Sequence, residues 1–292
     1  MTARLEGLNR FAADHQLPPA FVHLAQTHYF PLLDWLSNHN RSPHLLGING
    51  CQGSGKSTLA DFLARFLGEE HGWNVAVLSI DDLYLTRAER QSLAQTVHPL
   101  LQTRGVPGTH DVALGMNILD RLCAQQRGES TAIPRFDKSC DDRAPAHTWP
   151  AVTGKVDMVI LEGWCVGSRP QPAQALKTPV NALEAEEDPE GHWRAFVNRS
   201  LQNYQQLFQR LHTMALLKAP DFSCVYHWRL EQERKLASRN PDGKGLMSAD
   251  EIARFIQHYQ RLTEANLSDL PHTADVVLEL NHEHGIDRAY YQ

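Results

Sequence analysis

Apolar and polar positions along this chain keep two rhythms that succeed one another. Residues 45–49, 75–80, 156–161, 222–226 and 276–280 are short apolar runs, and runs of this length bounded by turn residues predict strands. The run 156–161 shows no polar alternation, as expected of a strand covered on both faces. Ala132 and Ile133 read as a further short strand, ended by Pro134. Between these runs the spacing becomes helical. Leu59, Phe62, Leu63, Phe66 and Leu67 share one helical face, with Gly68 and Gly72 as stops. Leu114, Ile118, Leu119 and Leu122 mark a helix over 111–125. Leu201, Tyr204, Leu207, Phe208 and Leu211 mark a longer one over 192–217. A charged helix is expected over 227–239, before the turn Asn240-Pro241-Asp242-Gly243. Ser248 and Glu251 have the spacing of a capping box, opening a helix with Ile252, Phe255, Ile256, Tyr259 and Leu262 inward. Strands alternating with helices predict an α/β fold, a parallel β-sheet with helices on both faces.

Residues 1–42 are helical in pattern, with Pro31 starting a second helix through Leu33 and Leu36. They are expected to form a helical N-terminal extension packed on a main domain of residues 43–292. Prolines 170, 172 and 179, then Glu184, Glu186, Glu187, Asp188 and Glu190, suggest an insertion around 165–195 whose acidic cluster is a solvated loop.

The most specific segment joins the first strand to its helix. Gly50-Cys51-Gln52-Gly53-Ser54-Gly55-Lys56-Ser57 reads G-x-x-x-x-G-K-S between an apolar run and an amphipathic helix, the context that defines a phosphate-binding P-loop NTPase fold. Gly50, Gly53 and Gly55 let the backbone turn sharply and approach a ligand. The N–H groups of the loop, including those of Ser54 and Thr58, can point at phosphate oxygens, aided by the positive end of the helix dipole. Lys56 is placed to reach the β- and γ-phosphates, and the Ser57 hydroxyl to ligate Mg²⁺. The ligand class is therefore a nucleoside triphosphate with Mg²⁺, with the choice between ATP and GTP left open.

In a parallel sheet, ligands lie beyond the carboxyl ends of the strands, so the acids just after strands become candidates. Asp81 follows the second strand, beside Asp82 and Tyr84. A carboxylate there can take the proton of an attacking hydroxyl or hold Mg²⁺ through water, and helix N-capping is the other role open to it. Glu162 closes the run 156–161 and is a candidate for the second Mg²⁺-side carboxylate. Two loops with mixed charge can face the acceptor: one carries Arg104, His110 and Asp111, the other Arg135, Asp137, Lys138 and Arg143. Cations there suit an anionic acceptor. Residues 228–246, which carry Arg234, Lys235, Arg239 and Lys244, are a candidate lid, with Arg239 taken as the arginine that closes on the transferring group.

Composition adds exclusions. Apolar residues at 42% and charged residues at 21% are ordinary for a soluble globular protein of 292 residues. A net charge of -6 carries no general signature of nucleic-acid binding. Five scattered cysteines without a C-x-x-C pair argue against a disulfide framework and structural zinc. With no secretory pattern at residues 1–20 and no apolar run of membrane-spanning length, a cytoplasmic setting is expected. His282-x-His284 has a metal-binding spacing but no further ligands nearby in sequence, so a solvated tail is the preferred reading. The oligomeric state is left open.

The stretches GINGCQGSGKST, SIDDLYLT, RGVPGTHD, PRFDKS with DDR, and LEGW, in this order, resemble the phosphoribulokinase/uridine kinase family of P-loop kinases, most of all its D-glycerate 3-kinase branch. The resemblance implies ATP-dependent phosphorylation of a small hydroxyl compound. It also implies that Asp81 is the catalytic base and that Arg104 and the PRFDKS loop face the acceptor, best matched by D-glycerate. The chain departs from the family where Cys140 and Asp141 replace a glycine-rich spacer and Leu83 replaces a phenylalanine. Pantothenate, a nucleoside or a sugar phosphate remain alternative acceptors, and a regulatory ATPase is the reading of a different class.

Overall fold

The computed structural model describes residues 2–38, 42–239 and 247–292, with no side-chain description for residue 2 or residues 235–239. Its frame is a six-stranded sheet of β1 (His44–Gly50), β2 (Val75–Ser79), β3 (Met158–Gly163), β4 (Thr213–Lys218), β5 (Val276–Leu280) and β6 (Ile286–Tyr291). The order across the sheet is β6-β5-β4-β1-β3-β2. All pairings are parallel except β5 with β6. Both β1 and β3 are buried along their whole length, which explains their unbroken apolar runs. The register sets Glu162 of β3 opposite Ile48 of β1 and Ser79 of β2, so the phosphate loop, Asp81 and Glu162 emerge at one edge.

Helices cover both faces. Lys56–His71 ends at Gly72, whose φ of 68° satisfies the left-handed cap that glycine accepts most easily. Its Phe62 and Phe66 meet Phe11, Tyr29 and Phe30 edge-on or tilted at 5.1–6.2 Å, so the N-terminal helices share a core with the phosphate-loop helix. A wide π-turn at Ala25–Tyr29 precedes Phe30–Ser37 and lets Pro31, which lacks an N–H, sit within a nearly continuous helix. Ser248 and Glu251 form the expected capping box at the start of Ala249–Asp269.

Three expectations are corrected. The helix expected over 192–217 stops at Phe208, and Thr213–Lys218 is strand β4. The expected strand at 222–226 lies instead in helix Ser223–Arg239, where the Asp221 carboxylate accepts the Ser223 N–H at 2.8 Å. Both errors have one cause, since a short apolar run fits a strand or a buried helical turn equally well. The third concerns the acidic cluster, in which Glu186, Glu187 and Glu190 are exposed but two acids are buried. Glu184, in helix Ala182–Glu187, is buried against Arg261, and Asp188 is buried against Arg194. The partner of Glu184 sits 77 residues away, so no local charge pattern announces that pairing. The strand near Ala132 spans Ser130–Ala132 and pairs with Ala151–Thr153 outside the main sheet.

Candidate active site

At the carboxyl edge of β1 the chain turns through Gly53 and Gly55, whose φ angles of 83° and 91° favour glycine. Gly53 is also pressed by helix Ser223–Arg239: a Cβ there would lie 2.6 Å from the Cβ of Trp228. Gly50 faces Ser54, whose Oγ would lie 2.5 Å from an added Cβ. Lys56 and Ser57 open the following helix, with Thr58 behind them. Lys56 donates to the Cys51 carbonyl at 3.2 Å, and the Ser57 hydroxyl donates to Glu162 Oε1 at 3.2 Å. Octahedral Mg²⁺ with bonds near 2.1 Å sets adjacent ligand oxygens about 2.9 Å apart. The Ser57 and Glu162 oxygens are thus spaced to share such an ion.

Asp81 lies in a single 3-10 turn, Ile80–Leu83, that Ser79 caps through its side chain, so the capping role open to Asp81 is already filled. Its carboxylate accepts the Tyr84 hydroxyl at 2.7 Å and pairs with the Lys138 ammonium at 2.8 Å. Burial opposes ionisation of Asp81, but Lys138, the Tyr84 hydroxyl and Lys56 outweigh it and hold the carboxyl at about 2. Arg104 forms an ion pair with Asp141 and lies over the Phe136 ring at 5.4 Å. Asp141 also pairs with the buried Arg90 at 2.9 Å, which anchors the whole relay. Asp141 has a φ of 56°, a conformation a glycine would adopt freely, at the place where the resemblance would put glycines.

These side chains line one cleft of about 230 Å³. It brings together Lys56, Ser57, Glu162 and Asp81 with Tyr84, Arg104 and Lys138, and adds Gln52, Trp164, Arg229 and Tyr259. A phosphate-binding floor, two carboxylates and separate cations thus face the same space, an arrangement suited to moving a phosphoryl group between two bound molecules.

No family model matches the chain. It is 36% identical over 253 residues to the uncharacterized kinase mug58 of Schizosaccharomyces pombe, covering 82% of this chain and 89% of that protein. It is 32% identical to the chloroplastic D-glycerate 3-kinase of Arabidopsis thaliana, covering 83% of this chain but only 54% of the plant protein's length. The chain belongs to the P-loop kinases. Among solved structures, the D-glycerate 3-kinase from Cryptococcus neoformans superposes with a TM-score of 0.73 at 25% identity, covering 92% of this chain and 99% of that one.

Several residues assigned to the acceptor from sequence support the kinase cleft without lining it. Asp82 accepts the Phe136 N–H at 3.1 Å and pairs with Arg135 at 3.0 Å, which pins the loop that carries Lys138. Asp137 accepts the Ser139 N–H and hydroxyl inside an exposed turn. Asp111 caps helix Val112–Ala124 and pairs with Arg143, which also donates to the Tyr84 carbonyl. His110 is buried behind Tyr84, stacked on it at 4.7 Å and bonded to the Tyr204 hydroxyl at 2.7 Å. Burial lowers its pKa to about 4, so it is neutral at pH 7.

Sequence reasoning missed the aromatic wall of the kinase. Trp164 donates to the Gly105 carbonyl at 2.9 Å, and Tyr259 donates to the Arg104 carbonyl at 3.1 Å. Both fix the Arg104 loop, and Gly105 leaves no room for a Cβ beside Tyr259. Trp164 stood directly after the noted Glu162-Gly163, but Tyr259 was indistinguishable from a core residue of its helix. Among the described residues of the expected lid, Arg229 lines the cleft, held by Glu233 at 2.7 Å. The Arg239 side chain and residues 240–246 lie outside the described residues. Among the described residues no helix is long and apolar enough to cross a membrane.

Proposed function

We propose that this kinase transfers the γ-phosphoryl group of ATP to a hydroxyl of D-glycerate, giving 3-phosphoglycerate. The observation that carries this reading is Asp81, a carboxylate held ionised by Lys138 at the mouth of the phosphate loop, with Arg104 in the same cleft. The acceptor's own carboxylate draws Arg104 and Lys138, and the exchange of Lys138 from Asp81 to that carboxylate frees the Asp81 oxygen for the hydroxyl. The hydroxyl proton passes to Asp81 as the O–P bond forms, and the bond between the γ-phosphorus and the β–γ bridging oxygen breaks to release ADP. Lys56 and Arg229 face the charge that develops on the transferred group. Mg²⁺, held by Ser57 and Glu162, neutralises phosphate charge when bound. Residues 228–246 are the lid, of which 228–239 lie in helix Ser223–Arg239 and 240–246 lie outside the described residues.

The aromatic wall does not favour a nucleoside acceptor. Trp164 and Tyr259 pack edge-to-face at 4.8 Å, are nearly fully buried and spend their polar ends on the Arg104 loop, which leaves no free stacking face. Five unpaired cysteines support a reducing, cytoplasmic setting. An acceptor panel read by ADP release tests the proposal. D-glycerate should stimulate release far above pantothenate, uridine and ribulose 5-phosphate. Preference for one of those would replace the acceptor, and acceptor-independent release at the same rate would replace small-molecule phosphorylation altogether.

A further inference from the structure

Far from Asp81 in sequence, two turns meet at the carboxyl ends of the neighbouring strands β4 and β5. Asp221 and Cys224 flank the start of helix Ser223–Arg239, and His282 lies in the turn between β5 and β6. The Cys224 sulfur lies 3.2 Å from His282 Nδ1 and 3.9 Å from Asp221 Oδ1, and one ligand atom from each residue falls within 4.8 Å of the other two. We propose that Asp221, Cys224 and His282 form a binding site for Zn²⁺, with solvent completing a tetrahedron.

The spacing supports this directly. Zn–S, Zn–N and Zn–O bonds of about 2.0–2.3 Å in a tetrahedron place ligand atoms about 3.3–3.7 Å apart. The two separations from the Cys224 sulfur, 3.2 and 3.9 Å, bracket that range, and the third lies within 4.8 Å, so side-chain rotations close the site. The ligand chemistry is equally selective. A thiolate and an imidazole favour Zn²⁺ over Mg²⁺, whereas the Ser57–Glu162 pair offers oxygen alone. The surroundings hold the ligands in place. The Asp221 carboxylate is oriented by the Ser223 N–H and hydroxyl at 2.8 and 2.5 Å. Trp228 donates its indole N–H to the His282 carbonyl at 2.9 Å and stacks on His284 at 4.5 Å, fixing the turn. Asp221 and His282 are exposed while Cys224 is buried, which leaves a solvent-side position for the fourth ligand. On binding, the Cys224 thiol releases its proton to solvent, so affinity falls as pH is lowered.

The position gives the ion a structural consequence. Trp228, one turn beyond Cys224, is the residue pressed against Gly53 of the phosphate loop. An ion bridging Cys224 and His282 ties the first turn of this helix to the C-terminal hairpin beside the nucleotide loop.

The test is a Co²⁺ titration of the chelator-stripped, reduced full-length protein in excess Mg²⁺. The wild type should bind one equivalent, show thiolate-to-Co²⁺ charge-transfer absorption and lose it to added Zn²⁺. Cys224→Ser should abolish the band, and Cys140→Ser, at an exposed cysteine elsewhere, should retain it. If Cys224→Ser folds poorly, the exposed-site variants His282→Ala and Asp221→Ala decide, each weakening Co²⁺ binding at least about tenfold. Zn²⁺ should raise the melting temperature of the wild type but not of His282→Ala. Absence of the band in the wild type, its survival in Cys224→Ser, or unchanged affinity in both exposed-site variants would show that the cluster is only a thiol–imidazole hydrogen bond.

Discussion

Replacing Asp81 by asparagine isolates the step on which the proposed chemistry rests. Asparagine keeps the shape of the side chain, and its oxygen can still accept the Tyr84 hydroxyl that lies 2.7 Å away. It has no basic oxygen for the acceptor hydroxyl, and it leaves Lys138 without the counter-charge now at 2.8 Å. Loss of a positioned base lowers turnover by about 10²–10⁴-fold, equivalent to about 3–5 kcal/mol in the barrier. Gly53, Lys56 and Ser57 are untouched, so ATP affinity should stay within about threefold, well below one tenfold step of free energy. The KM for the acceptor should hold or fall, because the freed Lys138 ammonium remains available to its carboxylate. The assay is coupled ADP release at saturating ATP and D-glycerate, with nucleotide affinity measured separately by displacement of a fluorescent analogue. Turnover near the wild-type rate would refute the base assignment. A parallel collapse of ATP affinity would show that Asp81 shapes the nucleotide site instead. In the free enzyme, where Lys138 pairs with it, the Asp81 carboxyl is held at about 2, so any acid limb of kcat/KM near pH 5–7 should persist in the variant.

Arg104→Met should raise the KM for the acceptor by about 10–100-fold, the value of one charge-assisted hydrogen bond, with little change for ATP. Arg90 continues to hold Asp141 in that variant, so equal effects on both substrates in steady-state kinetics would point to collapse of the loop. Acidification should also cost stability through two buried histidines. Burial lowers the pKa of His110 and of His258 to about 4, while unfolded histidine titrates near 6.5. Between those values the unfolded chain binds more protons, so stability falls as pH drops from 7 to 5, by about 2 kcal/mol per histidine. Urea unfolding at the two pH values checks this: His258→Gln should lose about half of the combined histidine effect, and an unchanged slope would refute it.

Much of the site was legible because its strongest signals are contiguous. The phosphate loop carries its strand, its glycines and its helix within one short segment, and each part constrains the next by bond geometry alone. Asp81 and Glu162 were found by one topological rule, that ligands gather at the carboxyl ends of parallel strands. The two acids line one cleft because β2 and β3 are neighbours in register. The rule could not sort the charged loops. Lys138 and Arg104 line the cleft while Asp82, Arg135, Asp111 and Arg143 brace it, and all six are charged residues in similar turns.

From the sequence alone came the local matter: most strands and helices, the triphosphate loop and the acids beside it. Backbone propensity and side-chain periodicity act over a few residues, so they can be read from spacing. Only the tertiary structure decided that Thr213–Lys218 is a strand beside β1, that Glu184 is a buried ion-pair partner, and that Asp221, Cys224 and His282 meet. Those outcomes depend on which distant segment supplies a hydrogen-bonding edge, a counter-charge or a ligand, and sheet order and burial determine that only once the whole chain has closed on its core.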